Sequence, residues 1–239
     1  MRSQRTAGLQ VSVVLVWMLY LLQLGVCGTA NETPGLTLGS DELVARVQSR
    51  YDRTTHLHAH FKQETRVQGF DQPQTGAGQV WILKPGMMRW DYTTPERQTI
   101  IANGDTLWIY MPEDRQAIRD QVNQSLGTRT PALFLAGEAR LTELFTVVEA
   151  SIQGSSEGGL LQLKLTPKVG ALPYTQVQLG IDPVSYLVRQ VRLIDPMGNM
   201  TTMWFSDLDT EGAVAPSLFQ FQVPPGVDVI APPVFPVPR

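Results

Sequence analysis

The sequence predicts a mainly β protein with a little helix (α+β), built on a single antiparallel sheet of about eleven strands that curls and has its concave face covered by helical segments. Three observations predict it. Runs with period-2 alternation of apolar and polar residues recur at roughly 8–12-residue spacing from Thr55 onward, the rhythm of all-β folds. Turn chemistry separates them: Pro85-Gly86, Thr94-Pro95, Asn103-Gly104-Asp105 and Pro112-Glu113-Asp114. One apolar insertion, "TPALFLAGEARLTELF" (Thr130 to Phe145), interrupts the strands with Thr-Pro, a helix-start pairing, and is suited to cover a sheet too long to stay flat.

Residues 1–30 read as a secretory signal peptide. Arg2 and Arg5 supply a basic start, and Val11 to Leu24 an apolar stretch too short to span a bilayer comfortably. Small residues follow, with cleavage expected after Gly28 or Ala30. The single cysteine, Cys27, stands where a lipoprotein carries its lipid, but Val26 before it is larger than such signals prefer. Cleavage after either small residue leaves a mature chain with no thiol and no disulfide, which a domain of this size tolerates.

Residues 31–230 read as one domain, because no linker, repeat or composition shift divides them. Ser40-Asp41-Glu42 begins a helix of about three turns that places Leu43, Val44, Val47 and Tyr51 on one face. From Thr55 the period becomes two. Leu57, Ala59, Phe61, Thr65 and Val67 share one side, and His56, His58, His60, Lys62, Glu64 and Arg66 the other. Strands are then predicted over Gly76 to Lys84, Met87 to Tyr92, Gln98 to Ala102, Thr106 to Met111 and Arg115 to Val122, an antiparallel meander. After the insertion they resume near Thr146, Leu160, Tyr174, Leu187 and Met200, with a last run from Leu218 to Val223. The tail, residues 231–239, is "APPVFPVPR", too proline-rich to continue a ladder. Within "ILKPGMMRWDY", Met88, Trp90 and Tyr92 form one apolar side; around Trp81 and Trp108 both faces are apolar and the inward side stays open.

Composition and motifs argue against most chemistry. A formal charge of -3, with no long run of Lys or Arg, gives no basis for nucleic-acid binding. The three histidines of "HLHAH" fall on one strand face and raise a metal site, but Lys62, Glu64 and Arg66 continue that face as a solvated exterior. "GSSEG" matches G-x-S-x-G at Ser156, yet strand patterns flank it on both sides and every histidine precedes it, against a nucleophile elbow. Phosphate-binding glycine motifs are missing, and no acid-base pair stands out. Neither catalytic residue, metal nor cofactor is expected.

"TLGSDELVARVQSRYDRTTHLHAHFKQE", followed by "GAGQVWILKPGMMRWDYTTPERQTIIANGDTLWIYMPEDRQA", strongly resembles the LolA family, the periplasmic carriers of lipoproteins in Gram-negative bacteria. The order of elements also matches: an F-x-Q strand, G-x-x-W-x-x-[KR]-P, a Met/Phe-x-W strand, D/NG-x-x-L-W-x-Y-x-P, a T-P insertion, and a closing "FQVPPGV". The resemblance covers about residues 37 to 230; each fragment is weak alone and the ordered set is specific.

The resemblance implies an unclosed antiparallel β-barrel under a helical lid, and a monomeric, non-enzymatic carrier. Such a carrier takes acylated lipoproteins from a LolCDE-type inner-membrane transporter and passes them to a LolB-type outer-membrane receptor. It implies a cargo cavity at Phe61, Lys84, Met88 and Trp90, with Leu133 and Phe134 in the lid. Lys84 stands where the best-known members carry an arginine that bonds the closed lid; a lysine keeps the charge but not the rigid fork of donors. Met88 occupies the place of a cavity aromatic and Trp90 that of a family tryptophan, although both also suit a permanently packed core. The rival readings are a LolB-like receptor, a periplasmic lipid-binding sensor on the same half-barrel, and an esterase using Ser156.

Overall fold

The computed structural model describes residues 39–104, 106–122, 140–152, 159–168 and 174–231. Helix α1 (Ser40–Arg53) starts with Gly39 in the N-cap position, so Ser40 is its first helical residue rather than its cap. Asp41 and Glu42 lie in the first turn and Arg50 and Arg53 in the last, each complementing the helix dipole. Leu43, Val44, Val47 and Tyr51 are its buried face.

The strands are β1 (His56–Arg66), β2 (Gln74–Leu83), β3 (Met87–Thr94), β4 (Gln98–Asn103), β5 (Thr106–Met111), β6 (Gln116–Gln121), β7 (Phe145–Ile152), β8 (Leu161–Pro167), β9 (Gln176–Ile181), β10 (Val188–Ile194), β11 (Met200–Asp209) and β12 (Asp228–Ile230). All belong to one sheet of order β12-β6-β5-β4-β3-β2-β1-β11-β10-β9-β8-β7. β7 and β12 are its two ends and are not neighbours, so the sheet curves without closing. Consecutive strands pair within β1–β6 and within β7–β11, whereas β6 and β7 are not neighbours; β1 pairs with β11 and sits at the middle.

Two expectations need correction in detail. The run Leu218 to Val223 is not a strand: Pro216–Phe219 form a 3-10 turn and the chain beyond it is irregular. The twelfth strand lies further on, and β12 runs parallel to β6, Asp228 opposite Gln116, in a sheet whose other pairings are antiparallel. Of the insertion Thr130 to Phe145, Leu141–Leu144 form a single helical turn and Phe145 opens β7; residues 130–139 lie outside the described residues.

The alternation read from the sequence fixes the two faces. Leu57, Ala59, Phe61, Gln63 and Thr65 of β1 point inward and are buried, with the histidines on the outside. Val80, Ile82, Met88, Tyr92, Ala102, Leu107 and Ile109 continue the inner face and join Leu43, Val44, Val47, Leu141 and Leu144 in one core. Trp81 and Trp108, left open by the sequence, face outward by that alternation: Trp81 stacks on His58 (4.9 Å between ring centroids) and Trp108 packs on Phe221 (5.1 Å).

The convex side has a small core of its own. Ile101 and Phe219 are almost fully buried, 1% and 0% exposed, yet stand apart from the inner cluster. After β11 the chain crosses this side as a strap, residues 210–227, which sets Phe219 over β3 and β4 and Phe221 against Trp108 and Tyr110. Arg89, half-buried on β3, secures the strap by donating from Nη1 to the Leu218 carbonyl (3.0 Å).

Candidate functional site

On the concave side, register and one glycine build an aromatic row. Phe61 of β1 lies opposite Gly78 of β2, which lies opposite Tyr92 of β3. Strands once removed are roughly 10 Å apart, but with no side chain on Gly78 the two rings meet above it, Phe61 to Tyr92 at 4.8 Å and edge-on. Gly78 sits at a bulge where a Cβ would lie 1.9 Å from the Asp91 carbonyl oxygen, so no other residue fits. Trp90 extends the row, 5.0 Å from Phe61 and 6.2 Å from Phe205, in the edge and tilted arrangements aromatic quadrupoles favour. Met88 is buried on the same face, 3% exposed.

One buried polar pair is set into this row. The Tyr92 hydroxyl donates to Gln63 Oε1 at 2.9 Å, satisfying a phenol that burial pushes well above its ordinary pKa. Gln63 in turn donates to Thr65 Oγ1 at 3.4 Å.

Helix α1 buries its apolar face in the same core and is held by polar bonds from its middle to its C-terminal end. Lys84, half-buried in the β2–β3 turn, donates from Nζ to the backbone carbonyl of Tyr51 (2.5 Å), which also accepts the N–H of the C-cap residue Thr54 (3.0 Å), so the last turn of the helix is tied to the sheet. Burial lowers the Lys84 pKa, with the carboxylate of Asp52 acting in the opposite direction. The Tyr51 hydroxyl accepts from the backbone N–H of Val188 at the start of β10 (3.2 Å), and burial raises its pKa to about 12. Arg50 Nη2 donates to Thr210 Oγ1 at the root of the strap (2.9 Å), Arg46 bonds the Tyr186 hydroxyl, and Gln48 Oε1 accepts from Leu141 N (3.2 Å).

Of the residues singled out by sequence, Phe61, Met88 and Trp90 are thus brought together on the inner face and Lys84 reaches α1, whereas Leu133, Phe134, Ser156 and Cys27 lie outside the described residues. The histidine face is outward. His60 Nδ1 is 3.3 Å from Asp207 Oδ2 and His58 Nε2 is 2.9 Å from Gln79 Oε1. Sequence reasoning missed Tyr51, read only as a core position, because neither of its partners is near in sequence. It also passed over Gly78, although G-x-G inside a strand is a signal for a close approach above the sheet.

Residues 52–222 match the family model described as "Outer membrane lipoprotein carrier protein LolA". A protein named outer-membrane lipoprotein carrier protein from Methylococcus capsulatus is 33% identical over 212 residues, covering 89% of this chain and 94% of its own. One of the same name from Pseudomonas aeruginosa is 32% identical over 189 residues, covering 78% and 86%. Among solved structures, an uncharacterized conserved protein from Thermus thermophilus superposes with a TM-score of 0.51 at 12% identity, covering 82% of this chain and all of that one, a likeness of fold alone. A match over most of the chain, with relatives of this identity along nearly their whole length, places the chain in the LolA family of outer-membrane lipoprotein carrier proteins.

Proposed function

We propose that this protein carries lipoproteins bound for the outer membrane by holding their acyl chains against its concave face. The single observation that carries the reading is membership of the LolA family over residues 52–222. The physics of the concave face supports it. An acyl chain taken out of water gains about 0.8 kcal/mol per methylene, so one long chain gains on the order of 10 kcal/mol. A carrier bound that strongly with nothing to offset it would not release its cargo. Phe61 and Met88 are covered in the closed arrangement, so cargo reaches them only when the cover moves, and restoring the cover helps to expel it.

In this reading Phe61, Met88 and Trp90 line the cargo surface, with Leu133 and Phe134 in the lid. Methionine and aromatic rings suit that surface because they re-pack around a mobile chain. Lys84 is the latch through its bond to the Tyr51 carbonyl. A single ammonium makes a softer latch than a guanidinium fork, which sets the balance between closed and loaded states. The work is non-covalent and the protein catalyses no reaction. The carrier domain, residues 31–230, is exported by the signal at residues 1–30 and acts as a monomer in the periplasm. It receives cargo from a LolCDE-type transporter and delivers it to a LolB-type receptor.

The test is to express the chain with a triacylated lipoprotein and purify it in detergent-free buffer. A soluble one-to-one complex, and release of lipoprotein from spheroplasts on adding the purified chain, are expected. Neither complex nor release overturns the proposal. The intact mass of the mature chain separates this reading from a LolB-like receptor, because a receptor retains Cys27 with its lipid and a carrier lacks it.

A further inference from the structure

The convex face holds a groove of about 420 Å³ that the carrier reading does not use. Its sides are the His56–His58–Trp81 surface of β1 and β2 and the opening of the strap, Ala213 to Ala215, with Arg89, Asp209 and Leu218 between them. Small-ligand sites have this make-up: apolar walls and a few converging polar groups.

Two of those polar groups are charged and only partly used. Arg89 gives Nε to both oxygens of Asp91 (3.0 and 2.9 Å) and one Nη1 hydrogen to Leu218. A guanidinium has five N–H donors, and among the described residues those of Nη2 and the second on Nη1 make no further hydrogen bond. Asp209 Oδ1 accepts from the backbone N–H groups of Glu211 and Gly212 (2.8 and 2.9 Å), while Oδ2 accepts none there. Those two N–H groups, with smaller help from His56 and His58, hold the Asp209 carboxyl below its usual pKa, so it is ionised at neutral pH. Gly212 leaves room beside Oδ2, where a Cβ would intrude to 2.4 Å.

The remaining groups fit the same picture. His56 Nε2 is buried with no hydrogen-bond partner among the described residues, and such orphans call for an explanation. The stacked His58 and Trp81 rings line the groove together with Val214 and Leu218, an aromatic and aliphatic surface. Arg89 is neutralised by Asp91, and with the histidines counted neutral the groove carries one negative charge on Asp209 beside the unspent donors of Arg89. An anion alone meets the carboxylate, and a cation alone meets the guanidinium. A molecule carrying both charges meets a partner for each.

We propose that this groove is a second binding site, for a small zwitterion whose ammonium group rests on Asp209 Oδ2, whose anionic group takes the free donors of Arg89, and whose apolar part lies between Trp81 and the strap. A short peptide and a phosphoethanolamine headgroup share that chemistry. The site is independent of the concave face, so its failure leaves the carrier reading standing. It also touches the cover of that face, because Arg50 of α1 bonds Thr210, the residue after Asp209.

The experiment titrates the full mature chain with the dipeptide Ala-Trp in one arm and with free phosphoethanolamine in another, by calorimetry and by the fluorescence of the indoles. Saturable binding below about 10 mM in at least one arm is expected, and the stronger arm identifies the source. Asp209→Asn keeps the acceptor for the turn and removes the charge, and Trp81→Ala removes the wall. Each should weaken binding about tenfold or more, Asp209→Asn through the loss of one charge-assisted contact and Trp81→Ala through the loss of apolar surface, with lipoprotein binding unchanged. Asp209→Asn is read only with its native far-ultraviolet circular dichroism verified, and Trp81→Ala is the second variant should it fail. No saturable binding in either arm, or wild-type affinity in both variants, overturns the proposal.

Discussion

The two faces of this sheet are covered in opposite ways. On the convex side the cover is the chain itself: the strap follows β11 directly, sinks Phe219 completely and ends in a strand paired to β6. On the concave side the cover is a helix, seated on an apolar stripe and fastened by polar bonds at its edges, among them the one from Lys84 to the Tyr51 carbonyl. Backbone pairing and a sunken ring make a lasting closure. An apolar stripe with a few outer bonds makes one that can be undone, since each such bond contributes only about 1 kcal/mol net. In the carrier reading the same strands therefore carry a sealed surface and a serviceable one, one residue out of phase.

Three experiments break or sharpen that contrast. The largest effect belongs to the sealed side. Phe219→Ala should cost about 3–5 kcal/mol in urea denaturation, because a fully buried ring leaves a cavity. Lipoprotein binding per folded molecule should be unchanged; a loss below about 1 kcal/mol would show that the strap is no core element.

The next concerns the α1 anchor. Burial raises the Tyr51 pKa from 10.0 to about 12, so the unfolded chain ionises first as pH rises. Stability from this group is complete below pH 10 and is lost as pH rises through 10 toward about 12. Tyr92 and Tyr174 are raised in the same sense and add to the fall. Tyr51→Phe should flatten the decline in unfolding free energy by up to about 1.4 kcal/mol per pH unit, at a cost near neutrality of about 1 kcal/mol for the lost bond to Val188. An unchanged alkaline slope would refute the anchor's part in it.

The smallest effect belongs to the latch. Lys84→Met should loosen the cover and raise binding of a hydrophobic dye a few-fold, whereas Lys84→Arg, with its fork of donors, should lower it. Equal dye binding in all three proteins would leave the latch without support.

Much of this was legible in the sequence because it rests on local periodicity. The two faces of β1 and β3, the inward side of Phe61, Met88 and Tyr92, and the helix stripe of Leu43, Val44, Val47 and Tyr51 all follow from spacing alone. What stayed hidden was set by contacts distant along the chain. β4 and β5 are apolar on both sides since the strap covers one of them, and no pattern within those strands says that Phe219 arrives from more than a hundred residues away. The run Leu218 to Val223 alternates like a strand because Phe219 and Phe221 must point toward the sheet, yet Pro216 starts a 3-10 turn there. The roles of Tyr51 and Lys84 needed the position of the helix end above the β2–β3 turn, a matter of tertiary placement.

Tyr51 has one more consequence. Its carbonyl is tied to the β2–β3 turn and its hydroxyl to the head of β10, which lie on opposite sides of β1 in the strand order. A barrel that never closes has no seam to keep its curvature. This residue runs across the bend like a string across a bow, and the sheet cannot flatten without one of its two knots letting go.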